Sequence, residues 1–480
     1  MTLEAQVDPA PPVDAPWRRL HPLTPLVRGW KGVAAALVIV GQQRGDDLLR
    51  EGLPGRTEAL ISLAVVAAVA VIGGVYALLA WRRARYRVDE RTLELHTGVV
   101  FRQERRAPLD RLQAVDVVRP LLARIFGLAE LRLEVAGSGS SSIRLSLLPE
   151  AEAQNLRSTL LARAAGLAYE GETAPEAPEH EVLLVPVART VESLLRHGPT
   201  LFALVLLVVA VVAAVVRRDV SPLAAFVPIG FGVSGLLWSR FTGGFGFRVA
   251  TSPDGVRLHH GLLTTTSQTV PPGRVQAVRL RQPLLWRSKD WWRVEVNVAG
   301  YGAGGGGDAE STDEHLLLTV GSRAEALAVA SLALPLIAAS EGSPYDQLSA
   351  QLLDAGLTGR GDDAGFVSSP RSARLLDPVG WRRHGVRVTT SALLVRRGVV
   401  VRELDVVPHA RTQSLALQQG PLQRRLGLAT FVLHSTPGPV SPSVQHLPVG
   451  AAMVLLQAQA ERATAARAGA GDDGRWMLGR

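Results

Sequence analysis

Cysteine is absent from the 480 residues. Disulfides, thiolate-bound zinc, iron–sulfur clusters and thiol catalysis are therefore excluded, while the compartment stays open. No G-x-S-x-G and no H-E-x-x-H occurs, so neither a nucleophile elbow nor a zincin site has its residues. The eleven histidines are scattered. His259 and His260 are adjacent, which on a strand sends them to opposite faces, and no His/Asp/Glu group has metal-ligand spacing. The glycine-rich stretch 301–314 (YGAGGGGDAESTDE) opens no helix and no Gly-Lys-Ser follows it. It reads as a flexible hairpin loop and not as a phosphate-binding loop. No cofactor, no metal and no catalytic residue is expected, so the chain reads as a non-enzyme.

Acidic residues are in deficit: 43 against 52 basic ones, for a net charge of +9 carried mainly by arginine. Such a balance suits nucleic acid or the anionic cytoplasmic leaflet of a membrane. The hydrophobic runs favour the leaflet, and no basic helix carries base-reading residues, so nucleic acid is not an expected partner.

Residues 60–80 (LISLAVVAAVAVIGGVYALLA) carry no charge, and at about 1.5 Å per residue they cross a hydrocarbon core of roughly 30 Å. Trp81, Arg82, Arg83 and Arg85 follow as interfacial anchors. Residues 199–216 are equally apolar. Residues 222–238 come after only Arg217, Arg218, Asp219, Val220 and Ser221, which makes a helical hairpin, and Gly230, Gly232 and Gly235 permit close helix approach. Residues 23–41 are the weakest span, with Arg28 and Lys31 near one end; counting them gives two hairpins. Arg18, Arg19, Arg28 and Lys31 before the apolar core 33–40 of the first span and Arg82, Arg83 and Arg85 after the second place both termini and the large segments in the cytoplasm. The clear spans, 60–80, 199–216 and 222–238, lack interior Asp, Glu, Lys and Arg, which disfavours a transporter or channel component.

The rest of the chain repeats. Gly98, Gly261 and Gly398 each stand ten positions before a proline (Pro108, Pro271, Pro408), and each proline opens P-x-x-R-x-Q. The arginines are Arg111, Arg274 and Arg411; the glutamines are Gln113, Gln276 and Gln413. Thirteen residues beyond each arginine stands another: Arg124, Arg287 and Arg424. Each copy reads as a β meander with a glycine turn, an alternating strand running to the proline at an edge or strand start, a loop or short helix at 120–127 in the first copy, and a closing amphipathic helix (about 150–165, 322–338 and 449–465). The repeated arginines, with Arg396 and Arg397 in a further basic group, are the candidates for contact with anions, lipid headgroups or neighbouring domains, because guanidinium bonds phosphate bidentately. A structural role, capping loop carbonyls, is the alternative. Trp286, Trp291 and Trp292 suit either the membrane interface or a core.

With the proline–arginine–glutamine strand, the Pro-Leu-Leu-x-Arg-x-Phe-Gly-Leu-Ala segment that opens at Pro120, the hairpins and Arg19-Leu20-His21-Pro22, the sequence resembles the YdbT-like bacterial membrane proteins with pleckstrin-homology-like domains. The second copy departs from the pattern, with Trp286-Arg287-Ser288-Lys289-Asp290-Trp291-Trp292 in place of the Phe-Gly-Leu-Ala loop. The resemblance implies an α+β fold with transmembrane helices, in which two membrane hairpins carry three PH-like split β-barrels, each closed by a C-terminal helix, at the bacterial plasma (inner) membrane. The expected organisation is an N-terminal segment 1–22, hairpin 23–80, domain 81–168, linker 169–198, hairpin 199–239, domain 240–340, linker 341–370, domain 371–466 and tail 467–480. The expected function is a non-enzymatic scaffold, in a setting of envelope maintenance, whose partners are membrane lipids and a protein partner or the chain itself. A sensor of anionic headgroups and a transporter or channel component are the alternatives.

Overall fold

A computed structural model describes residues 16–25, 27, 56–89, 92–99, 101–135, 142–164, 179–219, 221–252, 255–271, 273–299, 315–335 and 350–469. The expected first span at 23–41 and the glycine-rich loop at 301–314 lie almost wholly or wholly outside them. The fold is mixed α+β, with antiparallel sheets. The chain forms two compact units, one of Met1–Leu112, Leu122–Val135 and Ile143–Ala174, the other of Gln113–Leu121, Ala136–Ser142 and Pro175–Arg480.

In the first unit the helix Arg56–Arg83 leads directly into the strands Arg85–Val88, Thr92–Thr97 and Gln103–Pro108, paired in sequence order. The short strand Arg18–Arg19 adds to the outer edge beside Tyr86 and Arg85. Tyr86 is buried and its hydroxyl donates to Glu152 at 3.0 Å on the helix Glu150–Ala164. Burial beside that carboxylate pushes the phenol up to about 12.

In the second unit the helix Gly198–Arg217 is long and apolar enough to cross a membrane. Arg218 in the left-handed region ends it, and Ser221–Gly244 packs back against it. Among the described residues Gly198–Arg217 is the one helix that meets this length and hydropathy test; the expected pair of hairpins is a finer statement than that. The strands Arg248–Ser252, Gly255–His260, Thr264–Val270, Val275–Pro283, Trp291–Val298 and Leu316–Ser322 follow, then the helix Arg323–Ala333 with a capping box between Ser322 and Glu325. The third copy repeats the order: Gly385–Val388, Ala392–Arg397, Val401–Pro408, Ser414–Gln418, Leu428–His434, Ser443–Pro448 and the helix Val449–Gly469.

The glycine and proline of the repeat do local work. Gly98, Gly261 and Gly398 have φ of 101°, 109° and 74°, and a Cβ there would run into the carbonyl of Phe101, Thr264 or Val401, so only glycine fits without strain. The proline ends its strand and does not start the next. Pro108 and Pro408, extended with φ of −64° and −59°, each precede a 3-10 turn that closes on Arg111 or Arg411. In the second copy the Arg274 amide bonds the Pro271 carbonyl at 3.3 Å. A residue without an N–H suits the last place of a ladder.

The repeat is longer than the sequence pattern suggests. His180–Leu184 and Val367–Ser368 pair with the first strands of copies two and three as Arg18–Arg19 does in copy one. A proline closely follows each of these short strands: Pro22, Pro186 and Pro370. The helix Val187–Leu195 follows Pro186, and the 3-10 turn Arg371–Leu375 follows Pro370. The helical hairpin of copy two is thus inserted between this proline segment and the sheet. The stretch expected as a bare linker before copy three instead carries the helix Ala350–Leu357, whose Leu353 and Leu357 enter the main core with Phe366. Eight residues with two buried leucines give too weak a periodic signal to stand out in sequence.

Buried neutral histidines set an acid limit on stability. His409, 2% exposed, meets the Thr389 carbonyl at 2.9 Å through Nε2 and accepts from Gln459 at 3.0 Å through Nδ1. Burial holds it below the ordinary value of 6.5, as it does His315 and His446. Their folded values are depressed, so the stability is present above the unfolded value and lost as pH falls through the folded ones. The unfolding midpoint of the full chain in detergent is expected to drop steadily from about pH 6.5 downward. A flat profile to about pH 5 would contradict neutral burial of these rings.

Candidate interaction surface

Neighbouring copies are joined edge to edge by strands, and both joints use the same register. The strand before the proline in one copy pairs antiparallel with the strand after the turn in the preceding copy. Thr264 of copy two lies opposite Pro120 of copy one, with Thr265 opposite Arg119 and Thr266 opposite Val118. Val401 of copy three lies opposite Pro283 of copy two, with Arg402 opposite Gln282 and Glu403 opposite Arg281. Because Gly261 corresponds to Gly398 and Pro120 to Pro283 in the repeat, these are the same pairs.

Side chains lock the second joint. Arg279 and Asp405 meet face to face, Nε to Oδ1 at 2.6 Å and Nη2 to Oδ2 at 3.0 Å, with Asp405 fully buried. Arg279 also donates to the Pro439 carbonyl at 2.7 Å. Burial alone would lower the guanidinium's pKa, but Asp405, Glu403 and Glu295 hold it above the usual arginine value. Asn297, wholly buried, donates to the Val440 carbonyl at 2.7 Å and accepts the Val440 amide at 2.9 Å. Around this joint the strands serve two cores. Leu280, Leu394, Leu404 and Val406 point into one, while Ala277, Leu393, Val395 and Val407 point into the other.

The arginines of the repeat do not converge on one site. Arg287 donates to the Val399 carbonyl across the second joint. Arg274 lies close enough to Arg411 for their charges to repel, and burial with that repulsion lowers the pKa of Arg274. The carbonyl of Arg274 accepts from Gln276 Nε2 at 3.2 Å, whereas Gln413 is exposed. Arg111, Arg124 and Arg424 are exposed, the last two at the ends of the short helices Leu121–Ile125 and Pro421–Arg425. Arg397 binds Glu403 at 2.7 Å and the Ser441 carbonyl at 3.0 Å. Arg396 is fully buried, donating to the carbonyls of Ala355 and Gly361. Its neighbour Arg383 donates to the carbonyls of Gly356, Leu357 and Gly359. Together they satisfy the C-terminal carbonyls of the helix Ala350–Leu357, where cations are favoured. Burial, and repulsion from Arg396, Arg402, Arg287 and Arg360, pushes Arg383 down to about 9, still charged at neutral pH. Sequence reasoning missed Arg279, Asp405 and Asn297, because none of the three recurs at the matching place in every copy.

Trp286, Trp291 and Trp292 belong to the core. Trp286 and Trp292 are 2% and 0% exposed; their indole N–H groups donate to the Ser193 carbonyl at 3.2 Å and to Asp290 at 2.8 Å.

A separate feature lies in the first unit, where the helix Arg56–Arg83 meets the sheet. A cavity of roughly 480 Å³ is lined by Trp17, His96, Glu104 and the arginines Arg82, Arg83, Arg85 and Arg102, among others. Arg83 donates to the Val99 carbonyl at 2.9 Å, and the Trp17 and His96 rings are 4.4 Å apart. Four guanidiniums against one carboxylate make this a cationic recess.

Comparison with known proteins accounts for the repeat. The family described as the bacterial PH domain matches residues 35–164, 182–335 and 357–463. The UPF0699 transmembrane protein YdbT of Bacillus subtilis (strain 168) is 22% identical over 274 residues, 50% of this chain and 54% of that protein. The chain thus spans about half the length of this curated relative. No solved structure matches. With three matches that together cover most of its length, the chain belongs to the bacterial PH-domain family.

Proposed function

We propose that the chain is a non-enzymatic scaffold of the bacterial plasma membrane, in which two helical hairpins hold three PH-like split barrels in series on the cytoplasmic face. The observation that carries this reading is the common register of the two joints. A chain that adds one copy to the next by the same strand pairing builds an extended protein surface, and no reaction is needed to explain it. The clear apolar helix and the resemblance to a transmembrane protein support the membrane setting. The test uses the intact protein reconstituted in vesicles and crosslinked in its own membrane. Specific protein adducts with no leak of entrapped solute are expected. Solute flux dependent on the chain would overturn the reading.

A second reading, contact with anionic headgroups, is favoured by the recess at Arg82, Arg83, Arg85 and Arg102. Guanidinium suits phosphate, and the position at a helix end continuous with an apolar run suits a membrane surface. Nanodiscs of mixed lipid should retain anionic lipid around the parent chain. Arg82→Gln/Arg85→Gln should lose that enrichment, more visibly at low salt; equal enrichment in both would remove this reading.

A further inference from the structure

The joint between copies is a head-to-tail contact, and such a contact leaves one surface of each kind unused at the two ends of a series. Copy one uses its post-turn strand, Leu112–Pro120, to receive copy two. Its own pre-proline strand, Gln103–Pro108, ends a sheet, paired on one side only with Thr92–Thr97 among the described residues. Copy three uses its pre-proline strand to join copy two. Its post-turn strand, Ser414–Gln418, is likewise a sheet edge, paired only with Leu428–His434 among the described residues.

Exposure follows the same division. The joined strands are largely buried; in the free ones Gln103, Glu104, Arg106, Ser414 and Gln418 are exposed and Leu415, Ala416 and Leu417 are half-buried. Ser414–Gln418 has no charge and no proline, so it lacks the usual devices that block edge pairing. Gln103–Pro108 does carry Glu104, Arg105 and Arg106. Charge on this strand is compatible with the joint, since Val401–Pro408 pairs while carrying Arg402, Glu403 and Asp405.

We infer that the free post-turn strand of copy three docks on the free pre-proline strand of copy one in a second molecule of this chain, so that molecules continue the series head to tail. This rests on the scaffold reading and names its partner. Carrying the observed register over puts Gln418 opposite Gln103 and Gln419 opposite Arg102. The second pair reproduces one already present, because Arg402 donates to Gln282 at 3.3 Å at the matching place in the joint between copies two and three. Arg102 and Gln419 are both exposed. Where that joint has Arg279 opposite Asp405, the new one has Ala416 opposite Arg105, which brings no like charges together. Two copy-three edges facing each other would align no such pair. The contact is heterologous and does not close on a dimer.

The absence of cysteine makes the test clean. Gln103→Cys and Gln418→Cys are placed together in the full chain in its membrane, with mild oxidation. Covalent dimers and longer ladders are expected, while each single variant alone stays monomeric. Dimers from the Gln418→Cys chain alone would mean a symmetric contact, and a monomer of altered mobility would mean that a chain closes on itself; either overturns the inference, as does the absence of any product. Adding Ala416→Arg, which sets two guanidiniums opposite each other, should reduce the ladder at least tenfold. A Gln282→Cys/Arg402→Cys chain reports the internal joint. If that bond closes while no ladder forms, the inference fails and the scaffold reading stands; if it too fails to close, the scaffold reading falls as well.

Discussion

Replacing Asp405 with alanine should cost the folded chain about 3–5 kcal/mol, because it strands the guanidinium of Arg279 in the interior. Arg279 is 6% exposed and would keep the Pro439 carbonyl and a more distant Glu403 at 3.9 Å. Neither replaces the paired bonds of 2.6 and 3.0 Å to the carboxylate. The measurement is denaturant unfolding of the detergent-solubilised chain. The double variant Arg279→Met/Asp405→Leu should recover most of the loss, since an apolar pair of similar volume needs no desolvation of charge. A single variant within about 1 kcal/mol of the parent would show that the pair is not a closed internal bridge.

This pair also orders the copies. Its place in the first joint is taken by Asp116 and Gln268, and Asp116 accepts the Thr269 amide at 3.4 Å. Exchanging partners would set Asp116 against Asp405 in a buried position, two carboxylates together. Copy one therefore receives copy two, and copy two receives copy three, although the backbones of all three offer the same edge. Specificity of this kind comes from a penalty on the wrong partner as much as from attraction to the right one.

Trp292→Ala is expected to cost a similar amount, about 3–5 kcal/mol, through the cavity left by a fully buried indole. Trp292 sits in the core cluster with Val294, Leu318 and Val320. Its N–H donates to Asp290, which also accepts from Gln282 at 3.0 Å and holds the left-handed end of a 3-10 turn with φ of 48°. The replacement should therefore loosen both the core and the turn that aligns the post-turn strand. Trp292→Phe should cost less, since much of the volume returns. The competing role, an anchor at the membrane interface, would leave unfolding unchanged and alter membrane association instead.

Much of the framework was legible because it rests on local chemistry. A turn that needs positive φ selects glycine, so Gly98, Gly261 and Gly398 mark it in sequence. The ladder's end selects proline, so Pro108, Pro271 and Pro408 mark the place where each strand stops. A closing helix was expected at the end of each copy, and helices occupy Glu150–Ala164, Arg323–Ala333 and Val449–Gly469. The short leading strands and the helix Ala350–Leu357 were not visible, since two to eight residues carry no periodicity of their own.

The sequence by itself determined that one β-rich module occurs three times, next to long apolar helices. Spacing and backbone preference are properties of the chain before it folds. Only the tertiary structure decided what the arginines do. Arg383 and Arg396 look like the other surface arginines in a string of letters, yet they end up inside, bonded to the carbonyls of one short helix. It also decided that the copies are joined through their edges in one register, because a strand's partner is chosen by unpaired amides and carbonyls, which every residue but proline carries alike, and by a few buried charges whose neighbours lie more than a hundred residues away.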